Sequence, residues 1–433
     1  MPLDSKTVMG ITSGESNTDR GLPPIALLPA MPYYGKFLEV LMNRPSRRTV
    51  LRCAAWAAAP AVLRGRFRLF AQSDAEYSAR AIQLIAETTV VDLLNQFRFA
   101  DYSQRPPKSE LWLNKPGSFT AADAAPYQTS GINVFALGSG AADYQEGLRF
   151  FAKWNGFLAA YSDWLLRIDN ARDFDRVRAD RKIGIMLTLQ DSTHFRGPDD
   201  VDEFFALGQR ISQLTYNFNN RIGSGFLEQR DGGLSVFGLS IMKRMEKAGM
   251  AVDLSHCADQ TTLDALEAAT RPALFTHATC RALIAGHMRA KSDEAIRKLA
   301  KTGGIMGIDF IRFMVRDREP VNTADVLDHF DYVRKLVGVE YLAVGSDLDL
   351  VGNGNPIGGG FRPESQPNFD RYRYHVDKPE HVGTTGLDHP KRMFDLTEGL
   401  IARGYSDADI QMILGGNAVR VLSKIWSPPD RAA

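Results

Sequence analysis

The sequence predicts an α/β protein built as a (β/α)8 TIM barrel, and three observations predict it. Eight short apolar runs of β-type composition alternate with segments of helical spacing through most of the chain. The stretch Gly249–His277, GMAVDLSHCADQTTLDALEAATRPALFTH, fits a strand, a helix and a second strand into few residues, as a parallel βα unit does. Its two apolar runs, Met250–Leu254 and Ala273–Phe275, each lead into a histidine, His256 and His277. In such a barrel the C-terminal strand ends form the active face, so both imidazoles are expected in one mouth.

Taken in order, residues 1–41 lack periodicity, carry Pro and Gly clusters, and read as a disordered or untranslated extension. Ser46-Arg47-Arg48-Thr49-Val50-Leu51-Arg52 is a twin-arginine pattern. The modestly apolar Cys53–Leu63 after it is too short to span a bilayer but suits an export signal. Residues 42–75 are therefore expected to be signal and linker, with Met42 as the start, and the destination periplasmic. The barrel is expected over 76–433. Ala79–Glu87 reads as a helix, Thr88–Leu94 as the first strand, Gly131–Leu137 as the second and Leu148–Asp169 as an amphipathic helix rich in aromatics. Gly184–Leu189 and Ile211–Tyr216 are the third and fourth strands, and Gly238–Ala248 is a helix stopped by Gly249. After the central unit with its helix Thr262–Ala269, Gly303–Phe310 and Tyr341–Ser346 complete the strands, separated by helices Asp293–Lys301 and Thr323–Val337. A doubly wound nucleotide-binding sheet is disfavoured, because neither GxGxxG nor a P-loop is present.

Length and composition, 433 residues with 44% hydrophobic, allow one large core. The net charge of +1 is unevenly spread: residues 42–71 hold seven Arg and no acid, and the rest of the body is acidic. With no basic field to displace counterions, nucleic acid is not an expected partner. Three cysteines, Cys53, Cys257 and Cys280, exclude a disulfide framework. Cys257 and Cys280 are read as small apolar filler, with a single bridge, or a softer metal site at His277-x-x-Cys280, as alternatives.

If the strands are right, the mouth collects Leu94, Gln96, Gln190, Tyr216, His256, His277 and Asp347, the last from Val344-Gly-Ser-Asp347. Two imidazoles and a carboxylate can hold one zinc-like ion and leave a position for water. Such an ion acidifies its water towards a pKa of ~7. Asp347 can then ligate or take the proton, or merely cap the next turn. Arg289 can clamp a substrate carboxylate with its planar fork, or form an ordinary ion pair.

These residues stand in an ordered series: Gly232-Gly-Leu, Val252-Asp-Leu-Ser-His256, Thr276-His277, Arg289 with Asp293-Glu294, Gly345-Ser-Asp347 and Leu414-Gly-Gly-Asn417. From about Thr88 to Trp426 the series resembles the membrane (renal) dipeptidases of the amidohydrolase superfamily. The resemblance implies a (β/α)8 fold, two zinc ions in ordinary members, hydrolysis of dipeptides including those ending in a D-residue, and often a homodimer. By position, His256 and His277 match ligands of one metal, Asp347 the acid/base carboxylate and Arg289 the carboxylate-binding arginine. The departures are as informative. The family's Asp-Gly-His-x-Asp is Asp92-Leu-Leu94-Asn-Gln96 here, its bridging glutamate is Gln190, and the histidine of Thr-His-Asn is Tyr216. Leucine cannot ligate, and neutral amides are poor ligands for a dication. The expectation is therefore an exported hydrolase with one divalent ion, zinc, on His256, His277 and Asp347. Gln96, Gln190 and Tyr216 would line the pocket for a dipeptide or similar amide with a free carboxylate. A catalytically inert ligand-binding barrel, or a lyase or isomerase using one ion as Lewis acid, are the alternatives. No stable membrane span is expected, and a homodimer is expected only from the resemblance.

Overall fold

Each of the eight apolar runs becomes a strand buried along its whole length, as a parallel sheet wrapped by helices requires. The structure is a computed structural model that describes residues 65–69, 75–97, 108–350 and 383–427. The strands are β1 (Val91–Asn95), β2 (Val134–Leu137), β3 (Ile183–Leu189), β4 (Gln209–Gln213), β5 (Ala251–Asp253), β6 (Leu274–Ala278), β7 (Ile305–Ile308) and β8 (Leu342–Val344). All neighbours pair in parallel, β2 with β3 through Val134 and Gly184, and β8 returns to β1 through Val344 and Asp92. The sheet is thereby closed into a (β/α)8 barrel, with no edge left in the ring.

Two elements differ from the sequence reading. The predicted strand Ile211–Tyr216 is observed as Gln209–Gln213. Polar Gln209 and Arg210 enter the strand because their side chains find partners inside: Arg210 Nε donates to the Asp169 carbonyl at 2.7 Å and Nη1 to that of Phe205 at 2.8 Å. The predicted helix Leu148–Asp169 is observed as Tyr144–Ala160. Asp143 caps its start through the Glu146 amide at 2.8 Å. Beyond its end, Leu165–Arg167 pairs with the first half of β3, on the edge whose second half takes β4. The aromatic stripe is core, as read: Phe151, Trp154 and Phe157 are buried. Gly249 stops helix Val236–Ala248 at φ 85°, a left-handed cap that glycine enters without strain.

The floor of the barrel is closed by the C-terminal helix Asn417–Trp426. Its Val421, Leu422 and Ile425 join one apolar cluster with Val91, Val134, Ala251, Leu274 and Ile305 from five strands. Asn417 Nδ2 donates to the carbonyls of Val339 and Leu342 at 2.8 and 2.9 Å, so the helix start is tied to the entry of β8.

At the other end of the chain, Arg66–Arg68 forms an antiparallel pair with Glu76–Ser78, ahead of helix Ala79–Glu87. The 1–41 extension and the twin-arginine segment lie outside the described residues. Among the described residues no helix is long and apolar enough to cross a membrane.

Candidate active site

The strand register brings the C-terminal ends of β5 and β6 together, and with them two imidazoles. His277 lies within β6, and His256 follows β5 by three residues. Both are buried, and their Nε2 atoms stand 2.9 Å apart.

What faces across that gap follows from the opposite nitrogens. Asn217 Oδ1 lies 2.8 Å from His256 Nδ1, so Nδ1 carries the proton. Thr276 Oγ1 spends its own hydrogen on Asp253 Oδ2 at 2.7 Å and therefore accepts from His277 Nδ1 at 2.9 Å. Asp253 is itself fixed by the Ser255 hydroxyl and by the backbone amides of Ser255 and Thr276, at 2.6, 3.0 and 3.0 Å. With both Nδ1 atoms protonated, two Nε2 lone pairs converge, and a zinc ion bonded to both at ~2.0–2.1 Å would sit beside the line joining them, not on it. Burial, then the nearby Arg289 charge, holds both imidazoles well below their usual pKa.

Around the pair, Tyr216 lies flat on His256, with ring centroids 4.3 Å apart and planes 23° from parallel, and is itself 41% exposed. Asp347 follows β8 in a left-handed turn (φ 53°), its amide donating to the Leu94 carbonyl at 2.9 Å. Gln96 Nε2 donates to Asp347 Oδ1 at 2.6 Å. Gln190 sits at the end of β3 beside Gln96: a Cβ placed on Gly138 would be 2.9 Å from Gln190 Nε2 and 3.1 Å from Gln96 Nε2. A larger residue there would push on both amides. Leu94 is buried in β1.

Arg289 is also brought to this place, but its fork faces backbone. Nη1 donates to the Ser255 carbonyl at 2.5 Å and Nη2 to that of His277 at 2.8 Å. Its buried Nε has no hydrogen-bond partner among the described residues. The structure thus unites His256 with His277, and Gln96 with Asp347 and Gln190. Among the described residues it assembles no group of three or more His, Cys, Asp or Glu able to hold a metal. Cys257 and Cys280 are buried free thiols, so the alternative of a bridge between them is not realised.

Three residues of the site escaped the sequence reading. Asp309 follows β7 directly, and burial, then the neighbouring Asp347, raises its carboxyl well above the usual range. The signal was present, since Asp309 stands near the C-terminal end of the run Gly303–Phe310, as His277 and Asp347 stand just past theirs. Asn217, which sets the His256 tautomer, sits one position after Tyr216. Lys291 is wholly buried, and no periodicity marks a lysine for the interior.

The family model that matches this chain, over residues 124–358, is described as Membrane dipeptidase (Peptidase family M19). It covers more than half of the sequence. The chain belongs to the membrane dipeptidase family. Within it, the dipeptidase verJ of Clonostachys rogersoniana is 30% identical over 230 residues, 53% of this chain and 51% of its own length. The chain spans about half the length of the curated relatives it matches, 57% for the dipeptidase tcpJ of Claviceps purpurea. Among solved structures, an amidohydrolase from Pseudomonas aeruginosa superposes with a TM-score of 0.66 at 24% identity, covering 80% of this chain and 99% of the other. A metallopeptidase from Rhodobacter sphaeroides, liganded with a phosphinate mimic of the dipeptide L-Ala-D-Ala, gives 0.62 at 16% identity, covering 78% and 99%. At these identities the likeness shows the barrel fold.

Proposed function

We propose that this chain hydrolyses a small amide of the dipeptide type, with His256 and His277 as its ligands for one divalent ion, zinc. The observation that carries the reading is the 2.9 Å gap between two Nε2 atoms whose Nδ1 atoms are both committed as donors. The donors fit: neutral imidazoles oriented by an amide and a hydroxyl–carboxylate pair are common zinc ligands. A bound ion would supply polarisation of the scissile carbonyl and an acidified water.

The chain's own side chains do the rest. Asp347 takes the proton from the attacking water and returns it to the leaving amine, its carboxylate steadied by Gln96. Arg289, buried behind the imidazole pair with its Nη atoms on the Ser255 and His277 carbonyls, favours a substrate carboxylate through its charge alone. Tyr216 roofs His256, and Gln96 and Gln190 present amides to the bound ligand. Family membership supports the reaction class, and the dipeptide mimic on the Rhodobacter neighbour supports the substrate class. The test is elemental analysis of purified protein, reconstituted with zinc, together with a dipeptide screen and a His277→Ala control. Absence of bound metal after reconstitution overturns it.

One observation favours a second reading, a small-ligand-binding barrel without turnover. The Asp347 carboxylate is engaged by an amide, and the described residues offer the ion only two imidazoles. His256→Ala separates the two. Loss of metal and turnover together supports the hydrolase; unchanged ligand affinity supports the binder. The twin-arginine pattern Ser46–Arg52 and the apolar Cys53–Leu63 after it support export by the twin-arginine route. Retention of the full chain in the cytoplasmic fraction would contradict export.

A further inference from the structure

The loop that carries His256 is gripped from beneath by a residue with no assigned role. The Lys291 ammonium donates to the carbonyls of Leu254 and Cys257 at 2.7 and 2.9 Å, and to Thr262 Oγ1 at 3.3 Å. Those carbonyls flank Ser255-His256, and the carbonyl of Ser255 between them is taken by Arg289. The backbone of Lys291 is pinned to the other strand end: its amide donates to the Thr279 carbonyl at 2.8 Å, two residues past His277, and its carbonyl accepts from the Arg281 amide at 3.0 Å. One side chain therefore spans from the loop after β6 to the loop after β5.

The same side chain is expensive to bury. Lys291 is 1% exposed, and none of the described carboxylates forms an ion pair with it. An apolar chain of equal length would fill the space without taking a charge out of water. What an apolar chain would not do is fix two carbonyls on either side of His256. Resting on the zinc reading above, we infer that Lys291 is a positioning residue, holding the His256 loop in register with the β6 loop so that the two Nε2 atoms face one ion.

Lys291→Met keeps the length and removes the donor; Lys291→Gln keeps a donor on a shorter chain. Both are compared with wild type by zinc titration and by the imidazole NMR signals of His256 and His277 in metal-free protein. The expected result for Lys291→Met is a folded protein with about 10–100-fold weaker zinc binding, as for other groups that orient metal ligands, and shifted imidazole signals. Lys291→Gln should recover part of both. Zinc affinity and imidazole signals equal to wild type in a folded Lys291→Met overturn the inference, even if its melting temperature falls. If Lys291→Met does not fold, Lys291→Gln carries the test, and wild-type values in both readouts overturn it. Failure of wild type to bind zinc overturns the hydrolase reading alone, because the metal-free imidazole signals still report whether Lys291 sets the loop.

Discussion

The side-chain amide of Gln96 donates a 2.6 Å hydrogen bond to the carboxylate of Asp347, joining the end of β1 to that of its neighbour β8 at the rim of the mouth. A hydrogen bond to a charged group is worth about 1.5–3 kcal/mol. Gln96→Ala should therefore lower kcat/KM for the best dipeptide by ~10–100-fold, with part of the loss in KM because the same amide faces the ligand. Steady-state kinetics beside a thermal melt check it. A fall confined to melting temperature would remove Asp347 from the proton path.

Thr276 stands between Asp253 and His277, donating to one and accepting from the other. Thr276→Val is nearly isosteric but strands the His277 Nδ1 proton and one Asp253 oxygen. Zinc affinity should fall about 10–100-fold, and Thr276→Ser should restore most of it. Competition with a chromophoric chelator reads the difference.

Stability should depend on pH through two buried imidazoles outside the His256–His277 pair, those of His194 and His329. Burial lowers His194 and His329 to about 4 from an ordinary 6.5. Between those values the unfolded chain binds protons that the folded one refuses, so stability is full above pH 6.5 and lost as pH falls towards 4. Each imidazole contributes roughly 2 kcal/mol of this loss at pH 5. Lys291, lowered by burial to about 7 from 10.5, acts in a higher window: stability should rise as pH increases from 7 to 10.5. Lys291→Met should flatten that upper rise, and His329→Gln should shrink the acid loss. Denaturant titrations across pH 4.5–10 distinguish the two.

Asn417 lies at the opposite end of the barrel from the chemistry. Asn417→Ala removes the side-chain donor to the Leu342 carbonyl and one of two donors to that of Val339, which keeps the Leu342 amide. An unsatisfied buried group costs about 1–3 kcal/mol, so the variant should melt lower by several degrees. Its zinc affinity should match wild type. Reduced affinity would mean that the floor and the mouth are coupled.

The barrel was legible because burial on both faces forces apolar runs, and those runs survive in the sequence at all eight strands. The strand that slipped, β4, is the one whose first residues are polar, and partners supplied by other elements make Gln209 and Arg210 tolerable inside. The helix ending at Ala160 was overextended because Leu165 and Leu166 continue an apolar pattern that serves a strand. His256, His277 and Asp347 could be placed at the C-terminal end of the barrel because each closely follows or ends an apolar strand run. The hydrogen bond from Gln96 to Asp347 and the grip of Lys291 were not, since each joins residues distant in sequence. Arg289 reaches the histidine loops, but its fork binds the Ser255 and His277 carbonyls, and no sequence pattern tells whether a fork meets a ligand or a carbonyl.

The closure of β8 onto β1 bears on how the chain can be shortened. The family match spans 124–358, which contains β2 to β8 but neither β1 nor the helix Asn417–Trp426. A fragment cut to those limits would leave β2 and β8 as raw edges with unpaired amides and carbonyls, an invitation to intermolecular pairing. It would also open the apolar base to water. Such a fragment should be recovered as aggregate, and adding residues 75–97 alone would mend the seam while leaving the bottom uncapped.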